Sequence, residues 1–156
     1  MIAVSLVPII AAGVASVIVG WIWFHPKVFG ASYMAGMTPE MQMRGKKHIP
    51  ISVIVTLLAS MLIAWVMIFV GNALNEFIDW IGAVELGFWI WVGFVAPSML
   101  GMVLWEQKSI KLYLINSIYW LVNLIVIALV LLLGGQYFSG VANSYDTGAG
   151  TQQVTE

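Results

Sequence analysis

Four long apolar runs, separated by short polar stretches, organise this chain. Residues 3–24, 51–70 and 112–133 contain no charged side chain, and residues 81–104 contain one, Glu85. About 20 predominantly apolar residues suffice for a helix to cross the hydrocarbon of a bilayer. Each run is continuously apolar and does not alternate, so helices are expected in place of barrel strands. The pattern predicts an all-α fold, a membrane-spanning four-helix bundle over residues 1–133, followed by a polar tail, 134–156, outside the membrane. Thr38-Pro39-Glu40 reads as a helix start, with a hydroxyl cap, proline at the first position and an acid in the first turn. It predicts a short interfacial helix over about residues 39–47, between the first and second spans. Met34, Met37 and Met41 would be its apolar side and Arg44, Lys46 and Lys47 its phosphate-facing side.

Composition strengthens this picture. The chain is 62% hydrophobic and 8% charged, against about 25% charged for soluble domains. So few charges cannot cover a water-facing surface, and the partner the sequence implies first is the lipid bilayer. The N-terminus has no basic region or clear cleavage site and is read as a retained helix, not a signal peptide. A net charge of −1 argues against nucleic acid as a partner. With no cysteine, there is no disulfide and no thiolate nucleophile.

Charge placement sets an orientation. Lys27, Arg44, Lys46 and Lys47 lie in the first connection, and Lys108 and Lys111 in the third. The second connection and both tails lack Lys and Arg and carry Glu76, Asp79, Asp146 and Glu156. Basic loops stay in the cytoplasm, so both termini are expected outside it.

The stretch GWIWFHPKVFG, residues 20–30, closes the first run. Trp21 and Trp23 are expected at the headgroup level, where an indole keeps its ring apolar and its N–H wet. Pro26 ends the helix because it lacks an N–H and disfavours helical geometry at His25. Gly30 lets the chain turn where a side chain would clash. The stretch reads as an anchoring corner, with a binding site as the alternative.

Small residues recur every fourth position: Ala12, Ser16 and Gly20; Ser52, Thr56 and Ser60; Gly93, Pro97 and Gly101. Such stripes let helix backbones approach closely within lipid, inside one chain or between chains. Pro97 should kink the third span and free the carbonyl of Gly93, with Ser98 or a neighbouring helix as donor. Asn116, Tyr119 and Asn123 share one side of the fourth span. Their expected partners are the hydroxyls of the second span and the broken turn at Pro97. This seam either holds the bundle together or lines a narrow path. Glu85, within about two turns of the outer surface, can snorkel or serve as a functional intramembrane acid. His25, His48 and the methionines form no tight copper-binding cluster. No Ser–His–Asp set, His-Glu-x-x-His motif or phosphate loop is present. No catalytic, cofactor-binding or metal site is expected, and the chain is expected not to be an enzyme.

The corner resembles a signature, Gly-x-x-Trp-Tyr-x-Pro-x-x-Phe-Gly, of the small bacterial membrane proteins catalogued as domain of unknown function 1761. Gly20, Trp23, Pro26, Phe29 and Gly30 match it, and Phe24 stands in the tyrosine position without its hydroxyl. A second block is similar: Gly93-Phe94-Val95, Glu106, Leu114-Ile115-Asn116 and Tyr119. The resemblance spans roughly residues 3–130. It implies four membrane helices in a bacterial inner membrane and no known activity. The leading expectation is a non-catalytic membrane protein acting through helix packing, as a homo-oligomer or accessory subunit of a membrane complex. The rival is a small-solute channel or transporter formed by an oligomer, with a path along Asn116, Asn123, Ser98 and Glu85.

Overall fold

A computed structural model describes residues 6–38, 40, 43 and 49–150, with side chains as far as Tyr137 except at Ile78. The described residues are helical throughout, apart from short connections, and include no strand. Six α-helices follow in order: α1 Leu6–Trp23, α2 Ala31–Ala35, α3 Ile49–Leu74, α4 Trp80–Ile90, α5 Ala96–Leu104 and α6 Ile110–Gly150. α4 and α5 are joined by a π-helical turn, Trp91–Val95, and together make one span. Four spans, Leu6–Trp23, Ile49–Leu74, Trp80–Leu104 and Ile110–Tyr137, are long and apolar enough to cross a membrane. The chain is thus a multi-pass membrane protein whose helices meet lipid.

Each boundary has a local cause. His25 is extended (φ −64°, ψ 139°), as the residue before Pro26 must be, and this ends α1. After α3, Asn75 adopts the left-handed conformation (φ 58°), a helix-ending geometry that asparagine tolerates. A 3₁₀ turn, Glu76–Ile78, follows, and Phe77 is buried against Gly71, where a Cβ would lie 2.2 Å from its ring. Asp79 then caps α4 by accepting a hydrogen bond from the Gly82 N–H at 2.9 Å. At the opposite end, Ser109 Oγ accepts from the Leu112 N–H at 3.3 Å to open α6.

α6 is the most buried of the four spans. α1 packs along it on one side and α4 on the other, while α3 packs chiefly on α1. Pro8 meets Gly134 at one end of the α1–α6 pair, and Trp23 meets Ile115 at the other, so the two helices run antiparallel. Gly87 lies against the backbone of Ile125 and lets α4 approach closely. Ile9, Ala12, Met67, Leu86, Ile127 and Leu131 are among the buried residues that fill the core. The side chains of Trp21, Trp89, Phe94 and Trp105 face outward, as a lipid solvent permits.

Two features depart from the apolar pattern. The described short helix between the first two spans lies at residues 26–35, where the π-helical turn Pro26–Gly30 runs into α2. The interfacial helix expected at 39–47, with Arg44, Lys46 and Lys47, falls almost wholly outside the described residues. The fourth helix also does not stop where the composition turns polar after Leu133 but continues to Gly150. No proline interrupts that stretch, and a formed helix adds residues more readily than it starts anew.

Candidate functional site: an aromatic corner above a buried polar cluster

The corner is built on a π-helical turn. Gly30 N–H donates to the His25 carbonyl at 3.1 Å, five residues back, and Val28 N–H donates to the same oxygen at 2.9 Å. His25 Nδ1 accepts from the Lys27 N–H at 3.3 Å. This compact turn needs glycine at 30 for space, not for φ, which is −60°. A Cβ there would sit 2.2 Å from the Phe24 carbonyl oxygen.

The aromatic rings fold back over the end of α1. Phe29 packs on Trp23 at 4.5 Å between ring centroids, Tyr33 on Phe24 at 4.8 Å, and Phe24 on Tyr119 at 5.0 Å. Trp23 turns inward, and its indole N–H donates to the Ile115 carbonyl of α6 at 3.2 Å. Trp21, by contrast, is 73% exposed on the outside of the bundle. Trp23 has found its hydrogen-bond partner inside the protein. Burial pushes the Tyr33 phenol above its ordinary range, partly offset by the Lys108 ammonium. The corner and the third connection, where Lys108 pairs with Glu106 at 2.7 Å, therefore meet at one end of the bundle.

Below the corner lies a polar cluster in the middle of the spans. Ser16 Oγ and Ser60 Oγ are 2.7 Å apart and buried, tying α1 to α3. The Tyr119 hydroxyl lies 3.2 Å from where a Gly20 Cβ would be. Gly20 thus makes room for the tyrosine. A recess of ≈ 290 Å³ beside Tyr119 is lined by Val17, Gly20, Trp21, Phe24, Val53 and Thr56 as well. Asn116 and Asn123 are buried on α6 near Tyr119, and Asn123 is 1% exposed.

The kink differs in detail from the expectation. The helix widens to a π-turn before Pro97, and Ala96 N–H donates to the Trp91 carbonyl, five residues back. Ser98 Oγ donates to the Phe94 carbonyl. Tyr113 of α6 donates its hydroxyl to the Ala96 carbonyl at 3.3 Å. The hydroxyl and phenol donors at the break thus reach carbonyls 94 and 96. Trp91 adds a 2.7 Å indole bond to the Ser117 carbonyl of α6.

Of the sequence-singled residues, the structure gathers Gly20, Trp23, Phe29, Tyr119, Asn116 and Asn123 about the α1–α6 seam. It leaves Pro97, Ser98 and Glu85 on exposed faces of the third span. The route from Asn123 to Ser98 and Glu85 is therefore not one continuous polar face. Ser52 and Thr56 are exposed, and only Ser60 of that stripe turns inward. Ser16 was expected as a packing residue, yet its hydroxyl is the hydrogen-bond partner of Ser60. Tyr113 and Trp91 were not anticipated, although both carry a donor that must be satisfied within lipid.

Among the described residues, no three His, Asp or Glu side chains converge. The described buried polar side chains are Ser16, Ser60, Asn116, Ser117 and Asn123, none of them charged. No curated protein and no solved structure matches the chain. A family model described as "Protein of unknown function (DUF1761)" matches residues 7–132, across the corner, the polar cluster and all four spans, and the chain belongs to that family.

Proposed function

We propose that this chain is a non-catalytic protein of the bacterial inner membrane, with both termini outside the cytoplasm, that works by helix packing as a homo-oligomer or accessory subunit. The observation that carries this reading is the outward face of the third span. A Cβ at Gly93 would meet nothing within 4 Å, and Pro97 beside it is exposed. Small residues every four positions suit close helix approach in lipid, and the chain's own helices leave Gly93 and Pro97 of the stripe uncovered. The orientation rests on the basic residues that the sequence puts in the first and third connections. Native mass spectrometry in mild detergent tests the reading: dimers or larger assemblies, alone or with a second protein, are expected. A lone monomer from both native and recombinant membranes would refute it.

A small-solute channel formed by an oligomer is the second reading, favoured by Asn116, Tyr119 and Asn123 lying buried along one helix. Four helices enclose too little space for a pore, so flux would need several copies. Liposome flux assays distinguish the two: sustained passage of any neutral solute supports the channel, and none across a broad panel rejects it.

A further inference from the structure

Asn123 sits near the middle of the fourth span, 1% exposed, and neither its Oδ1 nor its Nδ2 has a hydrogen-bond partner in the protein. An amide buried without partners costs several kcal/mol in hydrocarbon, where lipid supplies none. One turn earlier on the same face, Tyr119 sits against Gly20 of α1, and Ser16, one turn from Gly20, is paired with Ser60. The contacts Gly20–Tyr119 and Pro8–Gly134 fix the antiparallel register of α1 on α6 and place Asn123 level with Ser16. Ser16 and Ser60 each lie near the middle of their own helices as well.

The unmet groups define what would satisfy them. Asn123 presents one free acceptor atom, Oδ1, and one free donor atom, Nδ2, so the occupant must both donate and accept. An alkali cation would answer Oδ1 and be repelled by the Nδ2 hydrogens, and an anion would do the reverse. No charged side chain is among the described buried residues to balance an ion. Its neighbours on α6, Leu124 at 2% and Ile127 at 0% exposure, close the site to bulk solvent. We propose that Asn123 binds a single buried water molecule at the bilayer midplane, held by its Oδ1 and Nδ2 and by the Ser16–Ser60 hydroxyl pair. Three such partners are what a buried water ordinarily makes. The water would couple α6 to α1 and α3 at the depth where no interfacial solvent reaches.

The test is water-edited solid-state NMR on the full chain in lipid bilayers, with asparagine, glutamine and isoleucine labelled. Magnetisation should pass from water to the Asn123 side-chain amide as fast as to a loop side chain such as Gln107. Ile127, one turn further, should stay dry. A dry Asn123 amide, or one whose shifts show a direct bond to a protein group, would overturn the proposal. Thermal unfolding gives a second arm. Asn123→Leu should lower the melting temperature by several degrees, because the serine pair loses its third partner. A raised melting temperature would mean that a dry, unpaired amide had been removed, and the water would be refuted.

Discussion

Replacing Gly30 with alanine sets two opposing effects against each other, and the structure decides the sign. Gly30 has helical dihedrals (φ −60°, ψ −41°), so by propensity alone alanine should stabilise by about 1 kcal/mol. The new Cβ, however, would lie 2.2 Å from the Phe24 carbonyl oxygen and 2.8 Å from the His25 carbonyl carbon, far inside the 3.4 Å of ordinary contact. Both neighbours are backbone, so no rotamer change relieves the clash, and the π-turn must open. Overpacking of this kind costs about 1–3 kcal/mol. Opening the turn also weakens the Gly30–His25 hydrogen bond, worth about 0.5–1.5 kcal/mol net. The balance is a loss of about 2 kcal/mol, or roughly thirtyfold in the folding equilibrium. Reversible unfolding in mixed micelles, followed by tryptophan fluorescence, reads this directly, since Trp23 packs on the turn through Phe29. Gly93→Ala is the matched control, with a helical backbone and nothing within 4 Å of the added methyl, and should hold or gain stability. If Gly30→Ala unfolds at the same detergent fraction as the parent, or Gly93→Ala loses as much, the steric account of the corner is wrong.

Three further outcomes follow from the same geometry. Gly93→Ile should leave the monomer's melting temperature nearly unchanged while shifting the population toward monomer in native mass spectra; an unchanged assembly would remove this face from the interface. Ser16→Ala and Ser60→Ala should each destabilise by about 1 kcal/mol, and the double variant by clearly less than twice that, because the two hydroxyls share one 2.7 Å bond; strict additivity in a double-mutant cycle would contradict the pairing. Burial raises the Tyr33 phenol in the folded state, so the unfolded chain loses that proton first as pH rises. The stability it contributes is full below the ordinary phenol range near pH 10 and is lost as pH climbs through the raised folded value. Lys108→Ala should raise the Tyr33 titration further, read by phenolate absorbance, and Tyr33→Phe should abolish that alkaline loss.

What the chain's pattern determined unaided follows from properties each residue carries with it. Lipid cannot satisfy a peptide group, so a continuous apolar run of the right length has one answer, a helix, and all four spans were legible this way. Pro26 and Asp79 set their boundaries by local geometry, and both are where the pattern put them. The resemblance over the corner and the second block likewise placed the chain in its family. Pairings between helices were not legible, because an apolar stripe in lipid has no solvent contrast to say which face turns inward. Only the folded arrangement decided that Trp23 points at Ile115, that Ser16 bonds Ser60, and that the Gly93–Pro97 face is left outside. The partner of a side chain depends on which helix lies opposite and at what height. That is set by the packing of small residues such as Gly20 and Gly87 against their neighbours, and a one-dimensional pattern does not contain it.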